Sequence, residues 1–336
     1  MNTAPANIDD WTKDFSEEDK VAVFEELFMR EVESAFTQNI GCCDKCHDDF
    51  VAIWPYAYSA DGAKFQCDSI GLDMFHSWTR LGQYYSKEEY DRLLPSIRCP
   101  NCNESLTLNI WPYELPFEPP EHYEEILGEI AKRAATTPFL LLEHPFCAKV
   151  REVVQSLFKS TRKIASDVYF FRGRSLPPGH ALCLQNFDFP PADKVHEGRY
   201  NHAGDPVLYL ASSEEVCRRE MRDAANLCIA KFQFIVELAV LDLMNPHEHD
   251  GEHGETLSFI VFSSLVSARS KDMGFARPEY VFSRFLKDCA RSAGFDAIRY
   301  PSTRMDVAQS NLVVINPELA LGSCAKDFSA FRASVA

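Results

Sequence analysis

GRYNHAGDPVLYLASSEEVCRREMRDAANL, residues 198–227, is the stretch on which the fold of this chain turns. Arg199 precedes a turn containing Gly204. PVLYLA then reads as an apolar strand carrying Tyr209, bounded by turn formers. SSEEVCRREMRDAANL follows with a helical pattern. Ser213 is a natural N-cap for it, because its hydroxyl can accept from N–H groups of the first turn. Val216 and Ala224 lie four residues to either side of Glu220, so helical periodicity predicts all three on one inward face. A glutamate on such a face needs a partner or a task, since burying an unpaired carboxylate is costly.

Outward from this stretch, DVYFFR (167–172), KFQFIVELAV (231–240), FDAIRY (295–300) and NLVVI (311–315) are further predicted strands. PEYVFSRFLKDCARSAGF (278–295) has helical pattern, and GETLSFIVFSSLVSA (254–268) suits a buried helix. Strands and helices mixed in this way give an α/β or α+β domain. YFFRGRS (169–175) places Arg172 and Arg174 at the end of an apolar strand. IRYPSTRMDVAQSNLVVINP (298–317) places Ser302 and Arg304 between two strands. Each residue also has a purely structural explanation. Arg172 and Glu220 can form a buried ion pair, Tyr209 can be core, and Ser302 can be a turn residue. HEHDGEH (247–253) has metal-ligand residue types, but a solvated acidic loop suits it better. The chain has no GxGxxG at a strand-to-helix turn, so no Rossmann fold is expected.

The front half reads differently. SEEDKVAVFEELFMREVESAF (16–36) has an acidic first turn and apolar residues Val21, Phe24, Leu27, Phe28 and Val32 at helical spacing. Cys43, Cys46, Cys99 and Cys102 form two CxxC pairs, which supply four thiolates for a tetrahedral zinc ion in a ribbon. Two unrelated cysteine turns are the alternative, and Cys42, His47, Cys67 and His76 are substitute ligands. A closed four-thiolate site has no open position, so its role would be structural. ESLTLNI (104–110) is a short strand-like run, and the proline-rich WPYELPFEPPEH (111–122) reads as a linker or bracing segment. EHYEEILGEIAKRAAT (121–136) and PFCAKVREVVQSLFKS (145–160) are helical. The expected organisation is a helical module with zinc ribbon over 1–120, connecting helices over 121–160 and a second domain over 161–336.

At 336 residues the chain suits two domains. Its net charge of -16 weakens any case for nucleic-acid binding, which needs clustered Lys and Arg. No apolar stretch is long enough for a membrane helix, and the opening MNTAPANIDDWTKDF has no apolar signal core. A cytoplasmic protein with no membrane partner is the expectation. Of 12 cysteines, Cys183, Cys217, Cys228 and Cys289 sit among apolar neighbours and read as buried reduced thiols.

The order of the back-half motifs resembles the RES family, named for an Arg, a Glu and a Ser. The resemblance falls on Arg172, Glu220 and Ser302. GRYNHAGDPVLYLA is similar to the family's glycine-flanked arginine followed by a tyrosine-bearing strand, and Glu220 follows Tyr209 by the family's eleven residues. PSTRMDVAQSNLVVINP resembles its closing serine-to-asparagine stretch. One departure is Glu197, where many members have a second glycine. The resemblance implies an α+β domain with an ADP-ribosyltransferase-like mixed sheet, and a toxin that degrades NAD or transfers ADP-ribose. On that basis Glu220 would stabilise an oxocarbenium-like state. Arg172, Arg174 and Arg199 would hold the pyrophosphate of NAD. Tyr209 would stack on nicotinamide or hydrogen-bond the ribose, and Ser302 would orient the ribose or the carboxylate. The expected activity is NAD glycohydrolase or phosphorylase. A protein-modifying ADP-ribosyltransferase and an inactive RES-like binding module are the alternatives. NAD is then substrate, zinc a structural cofactor, and an antitoxin or other regulatory protein the partner.

Overall fold

The computed structural model describes residues 15–35, 40–56, 66–67, 69–161, 163–165, 167–222, 224–246, 249–268, 277–302 and 309–333. It divides into two units, Met1–Pro116 and Phe117–Ala336.

In the first unit, helix α1 (Glu17–Ala35) starts where its sequence predicts. Ser16 Oγ accepts from the Asp19 N–H at 3.1 Å, and the Asp19 carboxylate accepts from the Ser16 N–H at 3.3 Å. This reciprocal cap satisfies N–H groups that the helix itself leaves open. Phe24, Phe28 and Val32 are fully buried. Phe24 meets Tyr85 and Tyr90 edge-on, and Phe28 meets Phe75. Strands β1 (Ile40–Cys43), β2 (Gln66–Cys67), β3 (Ile70–Gly71) and β4 (Asn109–Glu114) form a small antiparallel sheet in which the other three all pair with β4. The strand expected at 104–110 therefore lies further on, and the proline-rich stretch contributes WPYE to it. Pro112 sits opposite Gly41, and burial of Ile110 and Tyr113 outweighs the proline's missing donor.

The second unit contains helices α2 (Tyr123–Thr136) and α3 (Pro145–Ser160), and then the sheet. Its strands are β5 (Lys163–Ile164), β6 (Tyr169–Ser175), β7 (Leu208–Ala211), β8 (Leu227–Phe234), β9 (Leu238–Asp242), β10 (Ala297–Pro301), β11 (Ser310–Val314) and β12 (Ala325–Arg332). Helix α4 (Glu214–Glu220) follows β7, α5 (Gly251–Phe262) follows β9, and α6 (Val281–Ala293) precedes β10. The strand order is β12-β8-β6-β7-β11-β10-β9-β5. The β9–β10 pair is parallel and the other neighbours are antiparallel, so the domain is α+β with a mixed sheet. Leu208, Leu210, Phe232, Phe234, Val240, Leu312 and Val314 belong to one buried cluster.

Three expectations change. KFQFIVELAV is two strands, β8 and β9, which lie far apart in the sheet; the break exposes Ile235 and Val236. Strand β12 was not anticipated, because as an edge strand it is only partly buried and shows little apolar alternation. Helix α4 stops at Glu220, and Arg222 takes a left-handed φ of 52°. Ala224 therefore does not share a helix face with Glu220. The Ser213 cap does form, with its Oγ accepting from the Val216 N–H at 3.2 Å. His247, Glu248 and Arg304 lie outside the described residues, while Gly251–His253 opens α5. Among the described residues, no helix is long and apolar enough to cross a membrane.

Candidate active site and metal centre

Strand β6 lies between β8 and β7 and carries Arg172 opposite Ala230. The residue is 5% exposed. Nη1 donates to the Tyr209 carbonyl at 3.0 Å and Nη2 to the Asp188 carbonyl at 3.2 Å. Nε is buried without a hydrogen-bond partner. Among the described residues Arg172 makes no ion pair, so it is not the partner of Glu220. Burial, with Arg174 close by, pulls its pKa well below the ordinary arginine value. A buried guanidinium supported by carbonyls alone suits an anionic ligand. Arg174 reaches the same Asp188 carbonyl at 3.5 Å.

Glu220 ends α4. Ser302 Oγ and Asn311 Nδ2 both donate to its Oε1, each at 2.7 Å. Ser302 follows β10, is 1% exposed, and is itself fixed by its N–H to the Gln309 carbonyl at 2.9 Å. Asn311 lies in β11, between Ala211 of β7 and Tyr300 of β10. Two donors, 82 and 91 residues further along the chain, thus converge on one oxygen of the Glu220 carboxylate. Asn311 was missed as a site residue. Its signals were an amide opening the otherwise apolar run NLVVI and the resemblance of PSTRMDVAQSNLVVINP to a serine-to-asparagine stretch.

Tyr209 and Arg199 are used more structurally than their sequence suggests. The Tyr209 hydroxyl donates to Asn201 Oδ1 at 3.0 Å and accepts from the Tyr200 N–H at 2.9 Å. Burial pushes its pKa up, which keeps it protonated. Asn201 Nδ2 in turn donates to the carbonyls of His196 and His202 at 2.7 and 3.0 Å. Gly198 is needed in this turn, because a Cβ there would lie 2.3 Å from Asn201 Oδ1 and 2.9 Å from the Tyr209 hydroxyl. Arg199 donates to the carbonyls of Val266 and, at 2.9 Å, Ala268, and its guanidinium stacks 4.6 Å over the Tyr280 ring.

These side chains surround a cleft of about 850 Å³, within the usual range for small-molecule sites. Arg172, Arg174, Arg199, Tyr209, Glu220, Asn311, Tyr280 and Tyr300 line it, and Ser302 is buried behind Glu220. The cleft thus offers cationic groups for an anion and one firmly held carboxylate for a developing positive charge.

In the first unit, the four expected cysteines come together. Their ligand atoms all lie within 4.8 Å of one another, with Cys43–Cys46 at 3.8 Å and Cys43–Cys102 and Cys46–Cys99 at 3.7 Å. A tetrahedral ion with metal–sulfur bonds of about 2.3 Å sets its sulfurs about 3.8 Å apart, so the donor set fits a metal. Burial pushes the Cys99 thiol up to about 12, which a bound cation would reverse. Asp44, between the first two cysteines, accepts from the Asn109 N–H, Asn109 Nδ2 and Trp111 Nε1 at 2.8, 3.0 and 3.2 Å, and so ties the first knuckle to β4.

Residues 179–332 match the family model described as RES domain. The comparison with curated proteins gave no match. Among solved structures, one similar chain comes from the "Crystal structure of the M.tuberculosis MbcT-MbcA toxin-antitoxin complex". It is 16% identical, with 54% of this chain and 93% of that chain covered and a TM-score of 0.35.

Proposed function

We propose that the RES domain consumes NAD by breaking the bond between nicotinamide and ribose, as a glycohydrolase or phosphorylase. The observation that carries this reading is the Glu220 carboxylate, held by Ser302 and Asn311 in the same cleft as Arg172 and Arg174. The arginines match the pyrophosphate, since a guanidinium fork binds phosphate oxygens in a bidentate manner, and an anion there would favour its charged form. When the glycosidic bond breaks, its electron pair leaves with the cationic nicotinamide ring, which becomes neutral. The leaving group therefore needs no proton, and a single carboxylate suffices where other glycosidic cleavages use two. Positive charge develops on the ribose, and Glu220 stabilises it electrostatically. An oxygen of water or phosphate then bonds to the ribose carbon, with water giving up a proton.

In this reading zinc is the metal held by Cys43, Cys46, Cys99 and Cys102, as a structural ion in a module separate from the chemistry. An antitoxin or other regulatory protein is the partner implied. The test is to incubate purified protein with NAD, with and without phosphate, and to identify products by chromatography and mass spectrometry. Nicotinamide with ADP-ribose indicates water as acceptor, and nicotinamide with a phosphorylated ADP-ribose indicates phosphate. Intact NAD after prolonged incubation with folded protein would sink the reading.

A further inference from the structure

We infer that Glu197 is a positioning residue that sets how tightly the cleft grips NAD, an inference that rests on the reading above. Glu197 occupies the place where the resembled family often has glycine, and here it is engaged. Its Oε2 accepts from the Arg277 N–H at 3.0 Å and lies 3.4 Å from Nη1 of Arg284. Arg284 projects from α6 and is 4% exposed. Its Nη1 also donates to the Gly198 carbonyl at 3.3 Å and its Nη2 to the Arg277 carbonyl at 3.1 Å. The arginine end of this charge pair is buried, while the Glu197 side chain is 31% exposed.

Two residues on, Arg199 holds the carbonyls of Val266 and Ala268. Residues 197 and 199 of one turn thus bind the Val266 and Ala268 carbonyls and the Arg277 N–H. Tyr280, three residues beyond Arg277, packs against Arg199 and lines the cleft. The turn is fastened on its other side by the Tyr209 hydroxyl. Glycine at 197 would remove the carboxylate from the buried Arg284 and the acceptor from the Arg277 N–H. Arg199 and Tyr280 would then lose their fixed register. Glu220, Ser302 and Asn311 belong to other segments and would stay in place. The consequence is a loss of substrate grip with the bond-breaking step preserved.

The experiment compares the full chain with Glu197→Gly and Glu197→Gln, by nicotinamide-release kinetics and by calorimetry with ADP-ribose. Glu197→Gly is expected to raise KM for NAD and Kd for ADP-ribose on the order of tenfold, the loss of one charge-assisted hydrogen bond. Its kcat should stay within about twofold of wild type. Glu197→Gln should fall between, because its amide oxygen can still accept from Arg277 but carries no charge for Arg284. If Glu197→Gly does not fold, the Gln variant alone must show the rise in KM and Kd. Unchanged KM and Kd, or a fall confined to kcat, overturns the inference. A wild type that binds ADP-ribose but releases no nicotinamide defeats the proposed reaction, and the calorimetric comparison then decides the role of Glu197. A wild type that does neither defeats both.

Discussion

Replacing Glu220 by glutamine separates the charge of the carboxylate from its place in the fold. Ser302 and Asn311 both donate to Oε1, so a glutamine carbonyl can take both bonds and remain where the carboxylate was. What the variant loses is the negative charge. Each retained bond becomes neutral and weaker, because a charged acceptor makes a hydrogen bond roughly twice as strong. Losing one preorganised electrostatic contact in a cleft costs about 2.7–4 kcal/mol of transition-state stabilisation, or on the order of a hundred- to a thousandfold in kcat. Nicotinamide release at saturating NAD measures this. ADP-ribose affinity, by calorimetry, should stay within about threefold, since Arg172 and Arg174 are untouched. Turnover within about threefold of wild type would refute the electrostatic role. Weakened binding with normal turnover at saturation would place Glu220 in ground-state recognition instead.

Asn311→Ala and Ser302→Ala should each lower kcat on the order of tenfold, since each deletes one of two hydrogen bonds to a charged acceptor; an unchanged kcat in both single variants would show that neither bond positions Glu220. Tyr209→Phe should cost about 1–3 kcal/mol of stability in a denaturant titration, because it strands the Tyr200 N–H and Asn201 Oδ1 while keeping the ring; an unchanged midpoint would contradict the clamp. Elemental analysis should find one zinc per chain, and Cys99→Ser or chelation should raise hydrogen exchange around 40–54 and 97–114 while leaving the sheet of the second unit protected. Burial pushes the Asp205 carboxyl up, but Lys287 and Arg291 outweigh it and hold it below its ordinary value of 3.8. With the folded value depressed, its stabilisation is complete above the unfolded value and fades as pH falls through the folded one. Asp205→Asn should therefore destabilise at neutral pH by on the order of 2 kcal/mol, discounted for partial exposure and the remaining Asp288 contact to Lys287. The difference from wild type should close in acid, and a gap that persists there would contradict it.

Local chemistry made much of this protein legible in its sequence. Cap geometry, apolar periodicity and cysteine spacing act over a few residues, so α1, α3, the strands β6, β7, β10 and β11 and the four-cysteine cluster could be read directly. Arg172, Glu220 and Ser302 stood out in the sequence as candidates, because charged or polar groups beside apolar runs need a reason. Their partnerships were not. Arg172 leans on carbonyls and makes no ion pair with Glu220, and Glu220 faces its partners from the end of a shortened helix. Asn311, Asn201 and Glu197 became site or support residues only when strands and turns distant along the chain were brought together. The same is true of the break within KFQFIVELAV, where seven apolar residues out of ten looked continuous. Sequence periodicity reports which side of an element is buried. Hydrogen-bond partners across a sheet depend on strand order and register, which long-range pairing decides.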